Sequence, residues 1–317
     1  MRSKVTVVGA GNVGATTAQR IFEKGYADVV LVDIVPGLPQ GKALDMLQSG
    51  PILGSDAKII GTNSYDETEG SDLIVITSGL PRKPGMTRDD LLDANSKIVA
   101  SVVKETSSRS PQSKILIVTN PLDAMTQCAL DVSRFDSKNV FGMAGILDTA
   151  RFKTFVSMEL DVSVDSISGF VFGGHGDTMV PVTSTTNVGG VSIEKLIPKA
   201  RLDEIIQRTR DGGIEIVNFL KSGSAYYAPS AAVVQMVEAV LLDKKEILPC
   251  TAYLNGEYGH KGIYLGIAVK LGSSGIEQIV EFNLTDHEQS ELNRSADAVV
   301  ELVEAMKKNS YPAIFGE

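Results

Sequence analysis

The segment KVTVVGAGNVG, residues 4–14, is the most informative part of the sequence about the fold. A short β-branched run leads into glycines spaced G-x-G-x-x-G, and residues 15–24 then favour a helix. Gly9 permits a tight turn, Gly11 lets the backbone approach a pyrophosphate, and Gly14 lets the helix pack against the strand. The helix N-terminus faces the anion. In this strand–turn–helix context the segment predicts a dinucleotide-binding loop that includes Asn12 and Val13.

An acidic residue follows the glycine loop at the distance that a dinucleotide site requires. Asp33 ends the second β-branched run, 19 residues after Gly14. There its carboxylate can accept hydrogen bonds from both hydroxyls of an adenosine ribose. A 2′-phosphate would be repelled by this charge, and residues 34–36 offer no arginine to compensate it. The expected cofactor is therefore NAD rather than NADP.

The rest of the first half alternates apolar runs with helical stretches. The predicted strands are residues 4–8, 29–33, 58–61, 73–77, 115–119 and 139–142. These runs are almost entirely apolar, which is typical of parallel strands covered by helices on both faces. We therefore predict an α/β fold with a doubly wound parallel Rossmann sheet.

The second half changes character after about residue 145, where strands become sparser and helices longer. Residues 251–258, 262–271 and 276–283 predict a three-stranded antiparallel meander. Thr285 and Glu288 form a capping-box pair before a long final helix. We predict an NAD-binding Rossmann domain at residues 1–145. A C-terminal α+β domain at residues 146–317 would serve the substrate and oligomerisation.

Composition excludes several classes of function. The 317 residues include 39 acidic and 30 basic side chains, giving a net charge of −9, the wrong sign for a nucleic-acid surface. The two cysteines, Cys128 and Cys250, are isolated, so neither a disulfide framework nor a metal site is expected. No segment approaches the roughly 20 apolar residues of a membrane span, and no signal-peptide pattern is present. We expect a cytoplasmic protein with neither a nucleic-acid nor a membrane partner.

One of the three histidines stands in an unusual setting. His175 lies in the segment FGGHGD, residues 172–177, where glycines clear side chains from around the imidazole. Asp148 and Arg151 are three residues apart and would share one face of a helix. Asp148 could hold the His175 ring in one tautomer, and Arg151 offers a bidentate fork to a substrate carboxylate. An ion pair within the helix is the structural alternative.

Three cations cluster after the fourth predicted strand. Arg82, Lys83 and Arg88 lie in residues 80–88, where two prolines and a glycine favour a loop. In an acidic protein these cations indicate an anionic substrate, with a solvated loop as the alternative. Asn120 follows the fifth strand and could hydrogen-bond a substrate hydroxyl, although turn chemistry alone would also explain it.

These motifs, in this order, resemble those of the lactate/malate dehydrogenase superfamily. The resemblance rests on the glycine loop, Asp33 and the segments TNP at 119–121, LDTAR at 147–151 and GHGD at 174–177. Residues 79–88 resemble the mobile loop of lactate dehydrogenase-like malate dehydrogenases. The position that matches Arg82 is typically glutamine in lactate dehydrogenases. The resemblance therefore implies reversible NAD-dependent oxidation of the dicarboxylate malate to oxaloacetate by a homodimer or homotetramer.

The resemblance also assigns roles. His175 would be the acid/base and Asp148 its orienting partner. Substrate binding would fall to Arg82 for the distal carboxylate, Arg151 for the carboxylate beside the reacting carbon, Asn120 for the hydroxyl and Arg88 for the carbonyl. Cofactor contacts would come from Gly9, Gly11, Asn12, Val13, Gly14, Asp33, Asn95, Val118 and Asn120. Residues 222–225 would line the substrate pocket.

Two other functions are also compatible with these motifs. A lactate or other 2-hydroxy acid dehydrogenase differs chiefly at Arg82. A non-catalytic NAD-binding sensor would keep the Rossmann domain, but it would not need an acid–base pair such as His175 and Asp148.

Overall fold

A sheet at the centre of the molecule carries the predicted parallel strands. The computed structural model describes residues 2–81 and 87–316. In this part of the chain the parallel strands are β1 (Ser3–Val8), β2 (Ala27–Val32), β3 (Ile59–Thr62), β4 (Leu73–Ile76), β5 (Lys114–Ile117) and β6 (Val140–Gly142). Their spatial order is β6-β5-β4-β1-β2-β3. The order reverses between β1 and β4, where doubly wound sheets bind ligands at the carboxyl ends. The predicted fold class is confirmed.

Helices connect these strands and cover the sheet. They are α1 (Asn12–Lys24), α2 (Leu38–Leu53), α3 (Arg88–Arg109) and α4 (Leu122–Ser133). α1 ends at Gly25, whose φ of 71° is left-handed and whose N–H bonds the carbonyls of the last turn. α3 begins with a capping box in which Thr87 and Asp90 exchange bonds. The predicted loop therefore ends at Thr87, and Arg88 is helical; Arg82 and Lys83 lie outside the described residues.

The middle of the chain holds short strands and longer helices. Its elements are α5 (Gly145–Leu160), β7 (Ile167–Ser168), β8 (Val171–Phe172), β9 (Val180–Pro181), β10 (Asn187–Val188), β11 (Val191–Ser192), α6 (Ile193–Leu196), α7 (Lys199–Leu220) and α8 (Tyr227–Leu241). β11, β10 and β7 form one small sheet, and β8 and β9 form another. The segment between β8 and β9 contains His175.

The predicted meander is present and extends the main sheet. It consists of β12 (Glu246–Asn255), β13 (Lys261–Gly272) and β14 (Gly275–Ile279), followed by α9 (Asp286–Asn309) and α10 (Tyr311–Phe315). β12 pairs antiparallel with β6 through Thr251 and Gly142, so the sheet has nine strands in the described residues. The predicted capping box of Thr285 and Glu288 starts α9.

Two hydrophobic clusters hold the elements in place. The larger one covers both faces of the main sheet and joins strands from both halves of the chain, with every residue of β4 fully buried. The smaller one packs α5 against α7 through Phe152, Val156, Leu202 and Ile205. Burial of such side chains contributes about 1.5–3 kcal/mol each, so α5 is firmly anchored against α7. Within residues 2–81 and 87–316, no helix has the length and apolarity to cross a bilayer.

Candidate active site

The glycine loop forms a cradle that leaves one face of its backbone open. A Cβ at Gly14 would lie 1.8 Å from the Gly9 carbonyl oxygen, and one at Gly9 would lie 2.9 Å from the Ser78 nitrogen. At Gly11, by contrast, no heavy atom of the described residues outside its chain neighbours comes within 4 Å of such a Cβ. Close packing thus requires Gly9 and Gly14, whereas Gly11 exposes backbone to a ligand.

The start of α1 is available to an anion. Gly11 is its N-cap, and no side chain of the described residues caps its first N–H groups. Uncapped N–H groups at a helix N-terminus, with the helix dipole behind them, bind phosphates. The residues present therefore fit the pyrophosphate of NAD.

Asp33 lies beside this loop, as predicted. Its Oδ2 accepts a hydrogen bond of 2.7 Å from the Ala10 N–H, and its Oδ1 accepts one of 2.9 Å from the Val35 N–H. Lys42 on α2 donates to the Ala10 carbonyl at 2.7 Å, a support that the sequence did not single out. The carboxylate is thereby fixed directly after β2, beside the glycine loop.

Asn95 is buried and links two segments at the carboxyl edge of the sheet. It is 1% exposed, and its Oδ1 accepts from the Leu80 N–H at 2.7 Å. Its Nδ2 donates to the carbonyls of Leu80 and Asn120, at 3.2 and 2.7 Å. Asn95 therefore ties together the segments that follow β4 and β5. Its contact with the cofactor stays a prediction.

The histidine, aspartate and arginine predicted from the sequence meet in a connected chain. His175 Nδ1 lies 2.9 Å from Asp148 Oδ2, and Arg151 donates to Asp148 Oδ1 at 3.0 Å. Asp148 is 2% exposed, so its charge is neutralised by partners rather than by water. The predicted alternative, an ion pair between Asp148 and Arg151, is also present, and the carboxylate serves both partners at once.

This arrangement favours the protonated histidine. Burial alone lowers the pKa of the His175 imidazole, but the charge of Asp148 and the hydrogen bond to it raise that pKa. The positive charge of Arg151 lowers it and Asp123 raises it, and the net pKa lies above the usual value of 6.5. The site can therefore hold a proton near neutral pH and give it to a carbonyl oxygen, as a general acid does.

A second buried carboxylate, Asp123, supports the histidine loop from α4. Its Oδ2 accepts a 2.9 Å bond from the His175 backbone N–H, and its Oδ1 accepts a 3.1 Å bond from the Thr251 hydroxyl. Asp123 is not among the site residues predicted from the sequence. Its one signal is its position in the segment NPLD, residues 120–123, in the same turn as Asn120.

These side chains border a cavity of about 440 Å³ at the carboxyl edge of the sheet. The cavity brings together predicted residues from both halves of the chain. They are Val13, Val118, Asn120, Arg151 and His175, with Ser224 and Ala225 from the predicted pocket segment. α7 adds Arg210 and Gly213, which the sequence analysis did not identify. Such a cavity, with few polar groups converging on apolar walls, is typical of a small-molecule site.

Arg88 lies at the rim of the site. Its guanidinium is 3.8 Å from the Asp177 carboxylate, and both side chains are 79% exposed. Arg88 also borders an adjoining cavity of about 460 Å³ together with Asn120 and His175. Arg88 thus lies close to the histidine, and its exposed side chain has only a long ion pair with Asp177.

Comparison with known proteins identifies the family. The model of the lactate/malate dehydrogenase NAD-binding domain matches residues 3–142, and that of the lactate/malate dehydrogenase α/β C-terminal domain matches residues 146–310. The chain belongs to the lactate/malate dehydrogenase family. This family assignment and the NAD-binding match confirm the predicted NAD cofactor and oxidoreductase class.

Individual relatives of the family cover nearly the whole chain. A malate dehydrogenase from Thermomicrobium roseum is 56% identical over 97% of this chain and 99% of its own length. The 1.55 Å structure of malate dehydrogenase from Salinibacter ruber superposes with a TM-score of 0.93, at 47% identity over 99% of this chain and all of that one. A Cryptosporidium parvum lactate dehydrogenase, solved with lactic acid and NAD, gives a TM-score of 0.94 at 41% identity, covering 97% and 98%.

Proposed function

We propose that this chain is an NAD-dependent malate dehydrogenase that interconverts malate and oxaloacetate. The observation that carries the proposal is the chain of bonds from Arg151 through Asp148 to His175, which faces a cavity beside the glycine loop. The curated relatives at 53–56% identity that are named malate dehydrogenase support the choice of substrate.

His175 is the proposed acid/base. During oxaloacetate reduction the imidazolium gives its proton to the carbonyl oxygen, and during malate oxidation the neutral ring takes the hydroxyl proton. Asp148 holds the ring in the tautomer whose Nδ1–H points at the carboxylate, which leaves Nε2 for the substrate. Bound NAD supplies the hydride acceptor, and NADH the donor.

The proposed substrate contacts are arginines and an amide. Arg151 would bind the carboxylate next to the reacting carbon through its guanidinium fork, and Asn120 would orient the hydroxyl. Arg88 would polarise the carbonyl, since it borders the adjoining cavity together with His175. Arg82 would bind the distal carboxylate, an assignment that rests on sequence because Arg82 lies outside the described residues.

The proposed cofactor contacts and domain roles follow from the same geometry. Residues 1–145 would bind NAD through the loop glycines Gly9, Gly11 and Gly14 and through Asp33. Residues 146–317 would supply His175 and Arg151 and the subunit contacts of a homodimer or homotetramer. Apolar side chains on α7 and α8 that water reaches in the single chain, such as Phe219 at 78% and Tyr227 at 65%, support an assembly. Light scattering of the purified protein would measure the oligomeric state.

The cysteines indicate the cellular location. Both are free and buried, which supports a reducing cytoplasmic location.

The test is oxidation of NADH by the purified protein with oxaloacetate and, separately, pyruvate, repeated with NADPH. Strong turnover of oxaloacetate with NADH and little turnover of pyruvate would support the proposal. Preference for pyruvate would indicate the second candidate, a lactate dehydrogenase, as in the Cryptosporidium parvum relative. Lack of turnover with either substrate would indicate a non-catalytic NAD-binding protein.

Arg82→Gln tests the substrate assignment directly. Removing one partner of a buried ion pair typically costs about 3–5 kcal/mol, so activity on oxaloacetate should fall by roughly 10²–10³ or more. Activity on pyruvate, which has no distal carboxylate, should change little. Lys83→Gln removes the neighbouring charge of the same segment and is the matched control. An unchanged ratio of oxaloacetate to pyruvate activity in Arg82→Gln would reject the role of Arg82.

A further inference from the structure

His175 lies between two buried carboxylates that hold different parts of the residue. Asp148 on α5 bonds the ring at 2.9 Å. Asp123 on α4 bonds the backbone N–H at 2.9 Å, and a Cβ at the preceding Gly174 would come within 3.3 Å of its Oδ2. The Thr251 hydroxyl on β12 fixes the other oxygen of Asp123. The histidine loop is thus attached to α4 and, through Asp123, to the antiparallel part of the sheet.

The two carboxylates differ in how their charge is compensated. Asp148 has an ion pair with Arg151, whereas Asp123 forms no ion pair with any Lys or Arg in residues 2–81 and 87–316. Asp123 is 4% exposed. Burial raises the pKa of the Asp123 carboxyl above its usual value, and the bond from the His175 backbone, the charge of His175 and the Thr251 hydroxyl oppose that rise. The imidazolium is therefore the cation that compensates Asp123.

We propose that Asp123 is a positioning residue for His175, fixing the backbone of the histidine loop and adding a second negative charge that favours the imidazolium. The inference rests on the proposed function in taking His175 as the acid/base. It deepens that function because it gives the buried site two carboxylates against one arginine. Protonation of His175 then brings the cluster of Asp123, Asp148, Arg151 and His175 to neutrality.

Other charged groups also surround His175, and Asp123→Asn leaves their side chains unaltered. They are Asp148 and Arg151 from α5, Arg88 from α3, Arg210 from α7 and Asp177 from the histidine loop itself. Arg210 is paired with Glu291 of α9 at 3.3 Å. A change in the His175 titration on altering Asp123 alone would therefore report the charge of Asp123.

The experiment is an NMR titration of the apo protein with ¹³Cε1-labelled histidine, which gives three ring signals. His175→Asn assigns the His175 signal. Asp123→Asn keeps an oxygen acceptor for the His175 N–H and removes the charge. We expect the His175 midpoint to fall by about half to one pH unit, less than the roughly 1–3 units that direct contact with an opposite charge produces. An unchanged midpoint would overturn the proposal.

Two controls separate charge from structure. Glu288→Gln neutralises another buried carboxylate, which accepts from the Ser184 and Thr285 N–H groups at 3.0 and 2.9 Å but does not contact His175. Thr251→Val removes one hydrogen bond of Asp123 and retains the carboxyl group. Both should leave the midpoint within about 0.2 pH unit of the wild-type value. A fall in Thr251→Val as large as in Asp123→Asn would overturn the proposal, because it would assign the effect to the hydrogen-bond network.

A measurement on the wild-type protein covers the case in which Asp123→Asn fails to fold. With ¹³Cγ-labelled aspartate, the Asp123 carboxyl should be ionised before His175 begins to lose its proton. A carboxyl still protonated at the His175 midpoint would overturn the proposal. These NMR readouts need no substrate, so they are independent of whether oxaloacetate is turned over. If oxaloacetate is turned over, the alkaline limb of the kcat/KM profile should move to lower pH in Asp123→Asn by the same amount as the His175 midpoint.

Discussion

The two glycine loops of the site, residues 9–14 and 173–176, use the same residue type for different purposes. In the first loop, Gly9 and Gly14 are pressed against backbone, with a Cβ at Gly14 only 1.8 Å from an oxygen. In the second, Gly173 and Gly174 are pressed against α9, where a Cβ would meet Ser295 Oγ at 2.7 Å and Val299 Cγ2 at 2.8 Å. Most of these glycines therefore serve packing.

Each loop also has one glycine that packing does not require. No heavy atom of residues 2–81 and 87–316, apart from chain neighbours, lies within 4 Å of a Cβ built at Gly11 or Gly176. The first loop offers only backbone N–H groups at this open position, whereas the second presents the imidazole of His175 beside it. We infer that the first loop governs cofactor affinity and the second governs the chemical step.

The largest effect is expected at the second loop. His175→Asn should lower kcat for oxaloacetate reduction by about 10²–10⁴, the usual contribution of a positioned general acid. The dissociation constant of NADH, measured by fluorescence titration, should stay within about twofold, because the histidine does not build the pyrophosphate cradle. His260→Asn is the control, since His260 bonds Asn293 of α9 and lines neither cavity of the site, so both quantities should stay unchanged. Loss of NADH binding in His175→Asn would contradict the division between the loops.

The next effect is on folding, through the first loop. Gly14→Ala forces a methyl group onto the Gly9 carbonyl oxygen and, at 2.6 Å, onto the Thr77 hydroxyl. We expect the free energy of unfolding to fall by at least about 3 kcal/mol, the upper end of overpacking costs. Denaturant titration would measure it. A variant as stable as the wild type would show that this loop can shift without cost.

A smaller effect, on binding alone, is expected at Gly11. Its φ of −66° and ψ of −170° suit alanine, so Gly11→Ala should change stability by less than about 1 kcal/mol. The added methyl would stand where the pyrophosphate must approach, and NADH affinity should fall by at least tenfold, about 1.4 kcal/mol. Gly41→Ala on α2, which is also open, is the matched control and should bind NADH normally. If both variants bind alike, the open space at Gly11 is not the cofactor path.

The sequence predicted the parts of this site that depend on local patterns. The parallel strands lie where the apolar runs placed them, and the glycine loop opens α1 as expected. Attachment of the meander to β6 could not be predicted, because it depends on one register pair, Thr251 with Gly142. The same applies to β7–β11, since two-residue strands carry no periodicity.

Contacts between side chains that are far apart in the sequence also could not be predicted. Asp123 looks like an ordinary acidic residue in the first turn of a helix, where the helix dipole favours it. Its role depends on meeting His175, 52 residues later, and Thr251, 128 residues later. Asp148 was found because it shares a helical turn with Arg151. Packing, rather than sequence spacing, decides which carboxylates face the histidine.

The smallest effect separates the loops by their response to pH. Because the native pKa of His175 lies above its unfolded value of about 6.5, the imidazolium stabilises the fold fully below that pH. That stabilisation is lost as pH rises through the native pKa. The Tm difference between the wild type and His175→Asn should therefore decrease from pH 6 to pH 9. The Tm difference between the wild type and Gly11→Ala should stay constant, because Gly11 has no titratable group. A Tm difference for His175→Asn that grew with pH would mean that burial outweighs Asp148 and keeps the ring neutral, and His175 would then be poised as a base rather than as an acid.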